Sequence, residues 1–157
     1  MKQPQRILIM GLPGAGKTYL AAKLKEKLSE HNRTVGWLNA DEVRKHYNDW
    51  DFSREGRIRQ SLRMRDLADT SNTDYCIVDF VAPLPEMRHN YKADWTVWVD
   101  TIDAGRYEDS GQADYASGHT AYVASITVNK HLANGAAHLG YNQHLRQDIT
   151  LVSECVM

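Results

Sequence analysis

The stretch Gly-Leu-Pro-Gly-Ala-Gly-Lys-Thr at residues 11–18 decides the fold of this 157-residue chain. It fits the pattern G-x-x-x-x-G-K-[ST], in which glycines let backbone N–H groups turn toward a phosphate, the lysine neutralises phosphate charge, and the hydroxyl can ligate Mg²⁺. An apolar run precedes it, and helically spaced apolar residues follow, so a helix N-terminus faces the bound anion. The pattern predicts a site for nucleotide phosphates made by Gly11, Leu12, Pro13, Gly14, Ala15, Gly16, Lys17 and Thr18.

Strand-like and helical segments alternate over the first 100 residues. Apolar runs predict strands at 6–10, 34–38, 75–78 and 95–99. Amphipathic segments predict helices at 17–30, 41–47, 54–69 and 86–91. The strand runs are continuously apolar, which is typical of strands buried on both faces. This order predicts an α/β fold of three layers, a mostly parallel sheet flanked by helices, as in P-loop NTPases and kinases.

The pattern decays beyond about residue 107. The last 50 residues hold 7 of the 39 Asp, Glu, Lys and Arg residues, so the rest of the chain holds 32. We expect strands at 122–128 and 149–152 here, and one domain over 1–157 of which 108–157 is atypical. A diverged tail, a second function and a shifted reading frame all stay open as explanations of the break.

Bulk properties exclude several classes of protein. The net charge is −1 with 25% charged residues, which argues against general affinity for nucleic acid or for anionic membranes. The sequence shows neither a signal-peptide core nor 18 continuous apolar residues, so we expect a cytoplasmic protein with no membrane span. Cys76 and Cys155 form no zinc or redox motif, and Cys76 is expected to be a buried thiol. The sequence leaves a homodimer open.

Polar residues end three of the predicted strands, namely Asn39, Asp79 and Asp100. The ligand crevice of an open α/β sheet lies beyond the carboxyl ends of its strands, so these residues are candidates for its floor. A carboxylate such as Asp79 can hold Mg²⁺ through water, and Thr18 and Asp79 are therefore the candidate metal residues. The alternative for Asp79 is a helix cap or a solvated strand end.

A second cluster follows the second predicted strand. Asp41 and Arg44 lie one helical turn apart, on one face of the predicted helix. A carboxylate there can orient or deprotonate an acceptor hydroxyl, and an arginine can hold an anionic group, which suits phosphoryl transfer. The alternative is that Asp41 caps the helix and Arg44 is a solvated charge. Ser53 is predicted to be the N-cap of the next helix. That helix carries four arginines, one or two of which would face a ligand: Arg57, Arg59, Arg63 and Arg65.

Taken together, these motifs resemble the adenylylsulfate kinases. Four segments occur in the order and approximate spacing of that family over about residues 5–107: 11–18, Leu-Asn-Ala-Asp-Glu-Val-Arg at 38–44, Phe-Ser at 52–53 with Arg57, and Asp-Phe-Val-Ala-Pro at 79–83 followed by Arg88. The resemblance implies ATP and Mg²⁺ as cofactors. It implies transfer of the ATP γ-phosphoryl group to the 3′-hydroxyl of adenosine 5′-phosphosulfate, a step of sulfate assimilation.

The resemblance also assigns roles to residues. Lys17 and Asp41 are the implied catalytic residues, with Asp41 engaging the acceptor hydroxyl. Phe52 would stack on the adenine, as aromatic rings do with any base. The other implied acceptor-binding residues are Arg44, Arg57, Gln60, Phe80 and Val81.

The chain departs from the family pattern at several positions. Asn39-Ala40 replaces the usual Asp-Gly, Gln60 replaces an Asn, and Ala82 replaces a Ser. The Arg- and Lys-rich lid has no clear counterpart, and Arg106 is the nearest candidate cation for ATP. Lost arginine-type stabilisation costs about 10³- to 10⁵-fold in rate, so impaired activity stays open. A nucleoside, polynucleotide end or sugar as acceptor, and a nucleotide-binding paralogue without strong catalysis, are the alternatives.

Overall fold

The computed structural model describes residues 3–11, 14, 16–82 and 86–99, together with the backbone of residues 85, 126–132 and 135–141. The predicted strand at 149–152 lies outside these residues, as does Asp100.

Within the described part of the chain, six strands form one sheet in the order β2-β3-β1-β4-β5-β6. The strands are β1 (Gln5–Met10), β2 (Val35–Asn39), β3 (Tyr75–Asp79), β4 (Trp95–Val99), β5 (Ile126–Leu132) and β6 (Gly135–Tyr141). The first four are parallel, and β5 and β6 extend the sheet beyond β4 in antiparallel pairing. The prediction of an α/β fold with a mostly parallel sheet is confirmed.

Helices connect the parallel strands. They are α1 (Lys17–Glu30), α2 (Ala40–Tyr47), α3 (Arg54–Asp69) and α4 (Pro85–Tyr91). The predicted bounds of α1 and α3 are confirmed, and the other two begin one residue earlier than predicted. No helix in the described ranges combines the length and the hydrophobicity that a membrane crossing requires.

The strand prediction was less accurate toward the C-terminus. Residues 122–125 of the strand predicted at 122–128 lie outside the described residues, the rest of it falls in β5 (Ile126–Leu132), and β6 was not predicted. In the described sheet β6 is the edge strand and β5 lies between β4 and β6, taking its register from β4. Strand formation of this kind depends on the neighbouring strand more than on local pattern, and the local pattern here is weak.

The sheet has a core on each face. Ile7 and Ile9 of β1 pack against α1, whereas Leu8 and Met10 pack against α3 and α4, and all four are fully buried. Alternate residues of a strand point to opposite faces, so one strand contributes to both cores. Cys76 is buried in the second core, as expected, and burial raises the pKa of its thiol to about 11. The three-layer prediction is confirmed.

The topology brings the candidate site residues to one edge of the sheet. The chain passes from β1 to β2, returns to β3 beside β1, and then crosses to β4 on the other side of β1. The parallel register pairs Asn39 with Asp79, and Asp79 with Ile9 near the end of β1. The carboxyl ends of β1, β2 and β3 therefore meet where ligands bind in open α/β sheets.

Candidate active site

The phosphate loop leaves the end of β1 and runs into α1. Gly11 directly follows β1, and Gly14 and Gly16 have φ values of 90° and 106°, a left-handed region that favours glycine. Gly16 is the N-cap of α1, and no side chain caps this helix. The first N–H groups of α1 are therefore oriented toward the loop, as in an anion-binding cradle. Leu12, Pro13 and Ala15 lie outside the described residues.

Lys17 and Thr18 form the first turn of α1. The side chain of Lys17 is mostly buried, and its charge acts on the carboxylate of Asp79. Thr18 is exposed, and its hydroxyl oxygen accepts a hydrogen bond from Nδ2 of Asn39 at 3.4 Å. The two residues therefore link the phosphate loop to the ends of β2 and β3.

A buried carboxylate lies at the centre of this edge. Asn39 donates from Nδ2 to Oδ1 of Asp79 at 2.7 Å, and Trp37 donates from Nε1 to Oδ2 at 2.7 Å. The Oδ1 atom of Asn39 accepts from the backbone N–H of Glu42, which fixes which end of the amide faces Asp79. Asp79 is only 2% exposed, and each of its oxygens accepts a hydrogen bond from a half-buried side chain.

Opposing influences act on the pKa of Asp79. Burial raises it, whereas the hydrogen bonds from Trp37 and Asn39 and the charge of Lys17 act to lower it. The carboxylate of Asp79 and the hydroxyl of Thr18 both accept from the amide of Asn39. Both are hard oxygen donors of the kind that Mg²⁺ prefers. The residues present therefore fit the metal that the resemblance implies.

Asn39, and not Asp41, caps α2. The Asn39 side chain accepts from the backbone of Glu42, whereas Asp41 lies in the first turn and is exposed. The alternative in which Asp41 serves as the cap is therefore wrong. The charge of Asp41 acts on both Asp79 and Arg44. This carboxylate therefore lies between the buried carboxylate at the end of β3 and the arginine of α2.

Arg44 lies beneath an aromatic ring. Its side chain is 4% exposed, and the carbon of its guanidinium group is 4.4 Å from the ring centroid of Phe52. Nη1 donates to the backbone carbonyl oxygens of Asp49 at 2.9 Å and Asp51 at 3.2 Å. Burial lowers the pKa of Arg44, and the charge of Asp49 opposes this. The alternative of a solvated surface charge is therefore wrong for Arg44, whereas Phe52 itself is 49% exposed.

Two arginines of α3 hold the same segment, residues 48–53, which we call the 48–53 loop. Arg59 binds Asp49 with Nε at 2.9 Å and Nη2 at 3.1 Å, and Asp51 at 3.2 Å. Arg63 binds Asp49 at 2.8 Å. The hydrogen bonds from Arg59 and Arg63 hold the pKa of Asp49 well below its usual range. These arginines thus bind the protein's own carboxylates.

The start of α3 confirms the predicted N-cap and shows where Arg57, a candidate acceptor-binding residue, lies. Ser53 is the N-cap of α3, and its hydroxyl accepts from the N–H of Gly56 at 3.2 Å. Arg57 is half-buried in the first turn of α3, and its N–H donates to the carbonyl of Ser53 at 2.9 Å. Arg57 therefore lies beside the 48–53 loop.

Gln60 joins α3 to α2. It is 1% exposed, donates to the carbonyl of Ala40 at 3.2 Å, and accepts from Nη1 of Arg63 at 2.8 Å. Its amide is thus bonded on both sides to the protein. The predicted contact with an acceptor stays a prediction.

The segment after β3 turns sharply at the same edge of the sheet. Phe80 is 4% exposed and packs edge-on against Tyr91, while Val81 is half-buried. Ala82 has a φ of 43°, and its carbonyl accepts from Nη1 of Arg88 at 2.9 Å. The Phe80 side chain belongs to the core, and its backbone N–H donates to the carbonyl of Ile9 at 3.1 Å. The predicted contact of this segment with an acceptor stays a prediction. Arg106, the predicted cation for ATP, lies outside the described residues.

Two tryptophans have places at the site that the sequence did not predict. Trp37 packs, half-buried, against the core on the α1 face of the sheet, and its Nε1 also donates to Asp79. The period of a strand places Trp37 and Asn39 on the same face, and this was the available signal. Trp50 is 50% exposed in the 48–53 loop, and nothing in its local sequence pointed to this position.

Comparisons with known proteins show which family and which proteins the chain is similar to. The adenylylsulphate kinase family model matches residues 3–103. The bifunctional enzyme CysN/CysC of Rhodopirellula baltica is 32% identical over 90 residues, which cover 55% of this chain and 14% of that protein. Cytidine diphosphoramidate kinase of Campylobacter jejuni is 33% identical over 69 residues, or 44% of this chain and 41% of that protein.

A solved structure of an APS kinase is also similar to this chain. The Mycobacterium tuberculosis APS kinase CysC, in complex with AMPPNP and APS, superposes with a TM-score of 0.55 at 25% identity, over 59% of this chain and 55% of that one. The matched part of the chain spans well under two thirds of each of these three relatives. The family match nevertheless includes the phosphate loop, the 48–53 loop and all four parallel strands, and the chain therefore belongs to the adenylylsulfate kinase family.

Proposed function

We propose that this protein transfers the γ-phosphoryl group of ATP to the 3′-hydroxyl of adenosine 5′-phosphosulfate. One observation carries the proposal: a phosphate loop, an exposed carboxylate on α2 and a half-exposed aromatic ring on the 48–53 loop occur together. A protein that only binds a nucleotide needs the first of these. The other two, Asp41 and Phe52, supply what a hydroxyl acceptor with an attached base requires.

The nucleotide side binds and neutralises phosphate charge. The backbone of the loop and the N-terminus of α1 face the anion, and Lys17 adds a positive charge close to the buried Asp79. Phosphoryl transfer is catalysed mostly by positioning and by electrostatic stabilisation, which these groups provide. Thr18 and Asp79 would hold Mg²⁺, which when bound neutralises the charge of the phosphates.

The acceptor side orients the hydroxyl. Asp41 is exposed in the first turn of α2, so its carboxylate can accept the proton of the attacking hydroxyl. Phe52 offers one ring face to the adenine while Arg44 occupies the other. Arg57, beside the 48–53 loop, is the residue that we propose for the phosphosulfate group, and the backbone of Phe80 and Val81 completes this side.

The direct test is release of ADP from ATP and Mg²⁺ with a panel of acceptors. Stimulation by adenosine 5′-phosphosulfate is expected, with a loss of about 10²- to 10⁴-fold in kcat for Asp41→Asn, the range for general acid–base groups. The affinity for ATP should persist in this variant, and Lys45→Met, which changes an exposed charge on the same helix, serves as the control. Turnover of another acceptor without any response to adenosine 5′-phosphosulfate would exclude the proposal.

A second acceptor class is supported by the similarity to cytidine diphosphoramidate kinase. Stacking on Phe52 tolerates any base, because every base has a π-face. The panel therefore includes cytidine 5′-diphosphate and its phosphoramidate. A higher kcat/KM for the cytidine acceptors than for adenosine 5′-phosphosulfate would favour this second function.

A further inference from the structure

Asn39 and Asp79 occupy matching positions at the ends of two neighbouring parallel strands. The register of β2 and β3 pairs the two residues, and Nδ2 of Asn39 donates to Oδ1 of Asp79 at 2.7 Å. The chain departs from the family pattern at this point, because Asn39 stands where an aspartate is usual. The two side chains together therefore bring one carboxylate and one amide to this edge of the sheet.

The neighbours of this pair determine how its two side chains are oriented. Nε1 of Trp37 donates to Oδ2 of Asp79 at 2.7 Å, and the N–H of Glu42 donates to Oδ1 of Asn39 at 3.1 Å. Each member of the pair therefore turns an oxygen outward, toward a donor. Between the two members, one donor has to meet one acceptor, and an amide facing a carboxylate satisfies this requirement.

We propose that Asn39 and Asp79 are a matched pair, in which Asp79 supplies the carboxylate that position 39 lacks and in which amide and carboxylate can be exchanged between the strands. In the double variant Asn39→Asp/Asp79→Asn, the amide at position 79 accepts from Trp37 through its oxygen and donates to the carboxylate at position 39. That carboxylate still accepts from the N–H of Glu42, and the hydroxyl of Thr18 can turn to donate to it. The exchange thus keeps these contacts and one negative charge.

Each single substitution leaves like groups facing each other. Asn39→Asp puts a second carboxylate where an amide now lies 2.7 Å from Asp79, and two carboxylates this close repel each other. Asp79→Asn puts two amide NH₂ groups face to face, because Trp37 and Glu42 hold both amide oxygens outward. A buried polar group without a partner lowers stability. The double variant should therefore be more stable than either single variant.

The first experiment is a double-mutant cycle on the ligand-free chain, and it does not depend on the reaction. Thermal unfolding is followed by circular dichroism for the wild type, both single variants and the double variant. Each single variant should unfold roughly 2–12 °C below the wild type, as expected for one unsatisfied buried polar group in a chain of this length. The double variant should unfold above both. A double variant no more stable than the better single variant would overturn the proposal.

A matched control makes the same two exchanges at exposed positions. Asn32 follows α1 and Asp66 lies on α3, and these helices pack on opposite faces of the sheet. The effects of Asn32→Asp and Asp66→Asn should simply add, because distant sites without shared partners do not couple. Recovery confined to the pair at positions 39 and 79 is the expected result.

The second experiment asks whether the charge of the pair serves the magnesium site, and this part rests on the proposed function. Calorimetry measures the affinity for a non-hydrolysable ATP analogue with and without Mg²⁺. Asp79→Asn should reduce the enhancement by Mg²⁺ about tenfold or more, and the double variant should restore most of it. Enhancement that stays lost in a stable double variant would overturn this part. If the wild type bound no nucleotide, the proposed function would fail, and the thermal cycle would still decide whether the two residues are a matched pair.

Discussion

Replacing Gly56 with alanine tests how closely the 48–53 loop packs on α3. Gly56 is the third residue of α3 and is buried, and its N–H donates to Oγ of Ser53. A Cβ atom at this position would lie 2.5 Å from Cγ and 2.8 Å from the carbonyl carbon of Asp51, and closer still to the carbonyl oxygen. Because real Cβ atoms essentially never approach heavy atoms within 3.0 Å, the loop backbone has to move.

The magnitude follows from two opposing effects. Alanine is favoured over glycine within a helix by about 0.8–1 kcal/mol. Overpacking of a close contact costs about 1–3 kcal/mol, and each hydrogen bond lost as the loop moves, such as those from Arg44, costs about 0.5–1.5 kcal/mol more. We therefore expect Gly56→Ala to lower the free energy of unfolding by about 1–2 kcal/mol. The sign of the change is what the experiment tests, because alanine at a position with open space would raise the free energy of unfolding.

The assay is urea unfolding followed by circular dichroism, with Glu55→Ala as the control at the exposed neighbouring position. The closest contact involves backbone, so removing the Asp51 side chain should not rescue the variant: Gly56→Ala should cost about as much in Asp51→Ala as in the wild type. A rise of about 0.5–1 kcal/mol in unfolding free energy for Gly56→Ala would refute this account of the loop.

The other predictions concern the metal side and the core. Asn39→Ser keeps a short side-chain oxygen to cap α2 but removes the amide Nδ2 that donates to Asp79 and to Thr18. Calorimetry should therefore show a smaller enhancement of ATP affinity by Mg²⁺, with the metal-free affinity unchanged. An unchanged enhancement would contradict the magnesium assignment. Burial raises the pKa of Cys76 to about 11, above its unfolded value of about 8.5–9. The stability that Cys76 contributes is therefore full only below about pH 8 and is lost as the pH rises from there toward 11. The pH dependence of unfolding should be shallower over that range in Cys76→Ala than in the wild type, and equal slopes would refute it.

Local signals explain which parts of the fold were predictable. The first residues of α1 and α3 follow from Gly16-Lys17 and from the Ser53 cap, because these residues determine where a helix begins. The meeting of Asn39 and Asp79 follows from parallel strands that end at one edge. The sequence indicated these features because each depends on nearby residues or on a general rule of topology.

Other features depend on contacts between distant parts of the chain. Arg44 occupies a buried position, contrary to the usual preference of arginine, and only the path of the 48–53 loop accounts for it. Arg59 and Arg63 looked like candidates for a ligand anion, yet Asp49 binds both. Trp37 packs against the core, and its hydrogen bond to Asp79 was not predictable because one polar atom on a large ring leaves no signal in an apolar run.

The central claim is that one edge of the sheet holds two separate ligands, a nucleotide at the phosphate loop and an acceptor at Phe52. Calorimetric titration with a non-hydrolysable ATP analogue and with adenosine 5′-phosphosulfate, using the wild type, Lys17→Met and Phe52→Ala, tests it most directly. Lys17→Met should weaken the analogue by about tenfold or more, as expected for loss of a phosphate-binding charge, and leave the acceptor unaffected. Phe52→Ala should weaken binding of the acceptor by about 5- to 150-fold and leave the affinity for the ATP analogue unaffected. Unchanged acceptor affinity in Phe52→Ala, or equal loss of both ligands in either variant, would contradict the account.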